Sequence, residues 1–204
     1  MYHEDDNKCI ECGGEPEPEL KLAYSSCRKC YEESARVLME YKLSRTETFP
    51  EINKIDENLY LGNEDAALDK DLLKSKGITH VLAVGNFLQM KFPDDFTYEN
   101  FKIDDSPFQD IAQFFKRALK FIKSGKVTYV HCSAGVSRSS TIVVAYIMYE
   151  KKMSFEDAYK YVKDRRSMVL PNKGFKTQLQ EFEKKLLEGA FRLEDDDDVA
   201  VADK

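Results

Sequence analysis

From Glu51 onward the sequence predicts an α/β domain with a largely parallel central sheet. Three observations carry this. Strand and helix signals alternate along the segment. In IAQFFKRALKFIK, the residues Ile111, Phe115, Ala118, Leu119 and Ile122 recur at helical spacing and share one face. VTYVHC, ending at Cys132, reads as a short β-branched strand directly before another helical stretch.

The elements follow in order. INKIDENLYLG reads as strands, EDAALDKDLLKSKG as one helix and ITHVLAV as a buried strand, with His80 in an apolar pattern and so structural. FTYENFKID reads as a further strand. Asp110 is placed to cap the helix that begins near Ile111. STIVVAYIMYEKK, SFEDAYKYVKDRRS and GFKTQLQEFEKKLLEG read as three helices, in the second of which Lys163, Arg165 and Arg166 form a solvated basic face. The domain is bounded at residues 51–190. Before it, residues 1–43 hold a cysteine-rich module and a helix over 31–43, and residues 44–50 form a linker ending at Pro50. After it, residues 191–204 include the run EDDDD and read as an acidic, solvated, disordered tail. His3 falls in a polar N-terminal stretch expected to be disordered.

Composition narrows the function. Of 204 residues, 42% are hydrophobic, enough for a packed core, and 31 Lys and Arg against 37 Asp and Glu give a net charge of −6. That balance argues against general nucleic-acid binding, which needs a basic face. No apolar run approaches the roughly 20 residues that span a bilayer. The polar, acidic start MYHEDDNKC does not read as a secretory signal. The expectation is a protein of the cytoplasm or nucleus.

Four of the five cysteines, Cys9, Cys12, Cys27 and Cys30, form two C-x2-C pairs separated by 14 residues. Two such knuckles can present four thiolates tetrahedrally to one structural zinc ion. Gly13 and Gly14 permit the tight turn after the first pair. A redox dithiol would not need two pairs, and two disulfides disagree with a reducing compartment. So short a segment, with few apolar residues, needs the metal to fold. The module is expected either to bind a protein partner or to pack on the domain that follows.

The fifth cysteine sits in HCSAGVSRSS, residues 131–140, between a strand and a helix. A phosphate bound there lies at a helix N-terminus, cradled by the backbone amides of Ser133, Ala134, Gly135, Val136 and Ser137. The same field favours a thiolate at Cys132. Arg138 closes the loop with a planar fork that can hold two phosphate oxygens. Gly135 allows the tight path, Ser139 can donate to the sulfur, and His131 is expected to order the loop by hydrogen bonding.

C-x5-R followed by Ser or Thr resembles the signature of the protein tyrosine phosphatase superfamily, and HCSAGVSRSS resembles its dual-specificity branch in particular. NLYLGN (Asn58–Asn63), GITHVLAV and PNKGFKTQL (Pro171–Leu179) agree with the same family, so the likeness covers roughly residues 50–187. It implies a five-stranded, mainly parallel sheet flanked by helices, phosphocysteine catalysis without a metal cofactor, and phosphorylated proteins as substrates. It implies a supporting role at the phosphate loop for Asn172, which a helix cap explains almost as well. It also implies an aspartate general acid six residues before the first apolar residue of the next helix. With Ile111 as that residue, the offset selects Asp105 over Asp104 and over Asp110, the cap. The catalytic set is then Cys132, Asp105, Arg138 and Ser139. Phosphoinositide phosphatases carry Lys in this loop, whereas Ser133, Ala134, Val136 and Ser137 are uncharged. RNA 5′-triphosphatases need basic surroundings not evident here. A zinc-anchored, phosphate-binding scaffold without activity is the alternative from another class; inactive relatives lose the Cys or Arg that this chain keeps.

Overall fold

The chain divides at Phe49/Pro50 into two units. The computed structural model describes residues 50–193. Cys9, Cys12, Cys27 and Cys30, the helix expected over 31–43, residues 44–49 and the acidic run from Glu194 lie outside the described residues.

Five strands form one sheet in the order β1-β2-β5-β3-β4. They are β1 (Ile52–Asp56), β2 (Leu59–Gly62), β3 (His80–Val84), β4 (Thr97–Phe101) and β5 (Thr128–His131). Only β1 and β2 pair antiparallel; β2–β5, β5–β3 and β3–β4 are parallel. The central strands are short apolar runs because both of their faces are covered. Successive side chains alternate between the faces. Leu61, Leu82, Val84 and Val130 enter the larger core, whereas Val81 and Tyr129 enter a smaller one with Ala66, Ala67, Leu73 and Phe96.

The larger core is closed by α3 (Phe115–Ser124), α4 (Arg138–Lys151), α5 (Phe155–Arg165) and α6 (Lys173–Leu187). All five residues of the expected α3 face are buried. That helix is entered through a 3-10 turn, Ala112–Phe114. The Asp110 carboxylate accepts from the Gln113 amide at 3.2 Å and braces this turn, but it does not cap α3: the residue preceding the turn is Ile111 and the one preceding α3 is Phe114, neither with a side-chain cap bond. Gln178 Oε1 of α6 takes the amides of Ile111 and Ala112 at 2.8 and 2.9 Å, so the turn that leads into α3 is held from across the core. His80 is half-buried, with its ring against Phe121 at 5.2 Å.

α4 runs through the middle. Ten of its fourteen residues are buried, so it is apolar nearly all round rather than amphipathic. The hydroxyls of Ser140 and Thr141 at its start are satisfied by the Ser137 carbonyl, each at 2.8 Å.

Two sequence expectations need correction. EDAALDKDLLKSKG forms two short helices, α1 (Glu64–Ala67) and α2 (Lys70–Ser75), because Asp69 leaves the helical path and caps the second through Leu72 N at 2.9 Å. The tail assigned to residues 191–204 begins too early. Phe191 packs edge-on to Phe182 at 4.8 Å and to Tyr149 at 5.8 Å, and Leu193 is buried, so these residues belong to the domain.

Candidate active site

β5 delivers the sheet to its C-terminal end at His131, and α4 begins at Arg138. Between them lies the loop Cys132–Ser137, and every carbonyl from Ser133 to Ser137 is engaged. Ser133 O accepts from Glu64 N at 3.2 Å and Val136 O from Leu170 N at 2.9 Å. Ala134 O and Gly135 O accept from the Arg166 guanidinium at 3.0 and 2.9 Å. Ser137 O takes Thr141 N at 3.0 Å along with the two hydroxyls above. In a planar trans peptide the N–H points opposite to the C=O. Carbonyls held outward therefore turn the amides of residues 134–138 toward the inside of the loop, where they form an anion cradle.

The sulfur of Cys132 lies within this cradle, and the residue is 1% exposed. Gly135 N donates to Sγ at 3.2 Å and Ser139 Oγ at 3.1 Å. Gly135 has φ +68°, and a Cβ there would stand 2.3 Å from the Gly62 carbonyl oxygen, so both the backbone path and the space require glycine.

Arg138 turns its fork across the same opening. Nη2 donates to Ser133 Oγ at 3.3 Å and Nη1 to the Ile103 carbonyl at 3.4 Å. Nε stands 3.9 Å from Asp105 Oδ2, close enough for charge attraction but not for a hydrogen bond. Asp105 is also tied to the loop through Oδ1, which accepts from Ser137 Oγ at 2.7 Å and from Asn172 Nδ2 at 2.9 Å. Asp104 turns elsewhere and accepts from Asn86 Nδ2 at 2.6 Å. Asn172 caps α6, its Oδ1 accepting from Phe175 N at 3.0 Å, and its backbone N donates to Ser137 Oγ of the loop at 3.1 Å while its side-chain Nδ2 reaches Asp105. The segment carrying Asp105 lies hard against that helix start, since a Cβ on Gly174 would fall within 1.8 Å of the Pro107 carbonyl oxygen.

Two residues depart from expectation. His131 is held by burial and by stacking on its strand neighbour Tyr129, and no geometric hydrogen bond ties its ring to the loop. Its ring is fully buried, lies 5.5 Å from that of Tyr129 at 10°, and has neither nitrogen in a hydrogen bond among the described residues. Burial pushes its pKa down to about 4; the nearby Cys132 backbone offsets this only in part. Arg166, expected on a solvated face with Lys163 and Arg165, is 3% exposed and holds two loop carbonyls. Nothing in KDRRS separates it from its neighbours, because its partners are more than 30 residues away. Asn63, in the sequence only the last residue of NLYLGN, holds the turn into α1. Its side chain caps α1 through Ala66 N at 3.1 Å, and its carbonyl accepts from the buried Tyr129 hydroxyl at 2.6 Å. An Asn just before a helix is the signal that could have found it. Burial raises the Tyr129 phenol well above its usual range, with Arg166 pulling the other way.

A strand, an amide-lined loop around a cysteine, and a helix opening on an arginine make a site suited to hold an anion beside a thiol. The match to known proteins gives the family. Residues 59–185 match the dual specificity phosphatase catalytic domain, and the chain belongs to that family. Dual specificity protein phosphatase 1B of Arabidopsis thaliana is 41% identical over 140 residues, covering 67% of this chain and 84% of that protein. Dual specificity protein phosphatase 22-A of Danio rerio is 41% identical over 138 residues, 66% of each chain. In the longer protein-tyrosine-phosphatase MKP1 of Arabidopsis thaliana the likeness, 38% identical, spans only 18% of the relative. The human tyrosine phosphatase-like serine/threonine/tyrosine-interacting protein superposes with a TM-score of 0.64 at 35% identity, over 67% of this chain and 97% of that one. The catalytic unit is that of a cysteine-based protein phosphatase, with the five-stranded sheet and flanking helices of its relatives. The four N-terminal cysteines lie outside both the matched stretch and the described residues. Among the described residues, no three His, Cys, Asp or Glu side chains are grouped to hold a metal ion. No helix among them is long and apolar enough to cross a membrane.

Proposed function

We propose that this protein hydrolyses phosphotyrosine and phosphoserine or phosphothreonine in protein substrates through a phosphocysteine intermediate. The observation that carries the reading is the convergence on one loop of the Cys132 sulfur, the Arg138 fork and the Asp105 carboxylate. In the first step the Cys132 thiolate attacks phosphorus, the P–O bond to the substrate breaks, and protonated Asp105 gives its proton to the departing oxygen. In the second, Asp105 as carboxylate takes a proton from water, whose oxygen attacks phosphorus and releases Cys132 and inorganic phosphate. The Ser139 hydroxyl, donating to Sγ, eases the departure of the sulfur. Loop amides and Arg138 stabilise the charge on the equatorial oxygens in both steps. The breadth over hydroxyl amino acids follows from the dual-specificity description of the relatives. The uncharged side chains of Ser133, Ala134, Val136 and Ser137 favour protein over phosphoinositide substrates.

The test is Cys132→Ser. Turnover of phosphopeptides should vanish while binding of a phosphopeptide persists, because the amides and Arg138 remain. Residual turnover above about 1% of the parent would refute the nucleophile. Turnover of phosphoinositides in preference to a panel of phosphotyrosine and phosphothreonine peptides would refute the substrate class.

The reading extends to the N-terminus. Cys9, Cys12, Cys27 and Cys30 are read as the ligands of one structural zinc, in a module that either binds a protein partner or packs on the phosphatase domain. A working thiolate at Cys132 also calls for a reducing compartment, the cytoplasm or nucleus.

A further inference from the structure

Arg166 uses its whole guanidinium inside the protein. Nε donates to Gly135 O at 2.9 Å and Nη2 to Ala134 O at 3.0 Å. From the other side, Asn53 Oδ1 accepts from Nη1 at 2.7 Å and Glu51 Oε2 from Nη2 at 3.0 Å. The fork therefore joins two successive carbonyls of the phosphate loop to β1 and the residue just before it. A buried guanidinium needs a counter-charge, and Glu51, whose side chain is 36% exposed, supplies it.

The two carbonyls matter because of what the peptide plane couples to them. With Ala134 O and Gly135 O held outward, the amides of Gly135 and Val136 face the cradle. The first of these is the amide already seated on Cys132 Sγ at 3.2 Å. The fit is close: a Cβ on Gly135 would lie 2.9 Å from Nη2. Lysine cannot replace this geometry, because one ammonium on a flexible stem does not span two carbonyls and two acceptors as a planar fork does.

We propose that Arg166 is a positioning residue of the reaction: it aims the Gly135 and Val136 amides at the transferring phosphoryl group, and Glu51 with Asn53 holds its fork in register. The inference rests on the phosphatase reading above. Arg138 meets the substrate, and Arg166 meets the loop that meets the substrate. Amides misaimed by loss of the fork weaken binding of the transition state more than that of the ground state, since charge on the equatorial oxygens is greatest there.

The experiment compares the full chain with Arg166→Lys and with Glu51→Gln/Asn53→Ala. Three quantities are measured well below the melting temperature: kcat and KM for an aryl phosphate, and inhibition by vanadate as a transition-state mimic. Arg166→Lys should lower kcat by about 10- to 100-fold, a fraction of the effect of deleting an oxyanion donor outright. KM should change less than kcat, and the vanadate inhibition constant should rise in parallel with the loss of kcat/KM. Glu51→Gln/Asn53→Ala, which leaves the loop's own partners in place, should shift the same quantities about 3- to 10-fold in the same direction. It decides the matter if Arg166→Lys does not fold. A folded Arg166→Lys whose kcat and vanadate inhibition stay within twofold of the parent would overturn the proposal. So would a lower melting temperature in the double variant without any change in vanadate inhibition, the signature of a purely structural brace. If the parent protein neither turns over the aryl phosphate nor is inhibited by vanadate, the phosphatase reading itself falls.

Discussion

His131 gives the fold a pH dependence that can be calculated in advance. Its ring is completely buried beneath the nucleophile, and burial lowers its pKa from 6.5 to about 4. The depressed value means that the unfolded chain binds the proton more tightly. Its neutral ring costs nothing above pH 6.5, and stability is lost as pH falls from there toward 4. At 1.36 kcal/mol per pH unit, the full span corresponds to roughly 3 kcal/mol, and about 2 kcal/mol is lost between pH 7 and pH 5. Other groups titrate in acid too, so the perturbation is His131→Asn, which removes this proton and leaves the rest. Urea unfolding of parent and variant at half-unit steps from pH 7 to 4.5 isolates the difference. The variant starts less stable, having lost the stacking on Tyr129, but its curve should fall less steeply, with the gap between the two narrowing by about 2 kcal/mol at pH 5. Parallel curves would refute the reasoning: His131 would then be solvated or hydrogen-bonded in the native state.

Three further outcomes are expected. Asp105→Ala should lower kcat on phosphopeptides by about 100-fold or more, and much less on aryl phosphates whose leaving group needs no proton; Asp104→Ala should change neither, and the reverse pattern would transfer the acid to Asp104. Gly135→Ala should cost about 3 kcal/mol in urea unfolding and most of the activity, because a positive φ and a backbone carbonyl both oppose the added methyl. Protein purified without chelators under reducing conditions should contain about one zinc per chain by elemental analysis; stripping it should unfold residues 1–30 while aryl phosphate turnover persists, and absence of metal would return the four cysteines to redox chemistry.

The sequence made legible what depends on local pattern. The buried face of α3 could be read from period alone, and all five of its residues lie in the core. The loop around Cys132 was legible because strand, glycine, arginine and helix follow one another without interruption. What escaped depends on partners far along the chain or on a weaker local signal overruled by a stronger one. Asp69 is a good cap in a stretch whose other residues favour helix, and the cap prevails. Phe191 sits next to an acidic run but finds Phe182 and Tyr149. Arg166 is indistinguishable from a solvated arginine until the carbonyls of Ala134 and Gly135 are placed beside it. His131 could have been hydrogen-bonded; only the packing reveals that it is buried and stacked on Tyr129.

The position of β1 has a practical consequence for dissecting the protein. The match to the family's catalytic domain starts at residue 59, yet β1 occupies Ile52–Asp56 and pairs with β2 through Ile52–Gly62, Asn53–Leu61 and Lys54–Tyr60. A fragment trimmed to residues 59–185 would keep Cys132, Arg138 and Asp105 and would look complete. It would lose Glu51 and Asn53, and it would leave β2 as a bare edge with unpaired backbone groups, a template for joining another copy edge to edge. At its other end it would discard Phe191 and Leu193 from the core. Poor solubility or low activity in such a fragment would reflect where it was cut rather than the chemistry of the site.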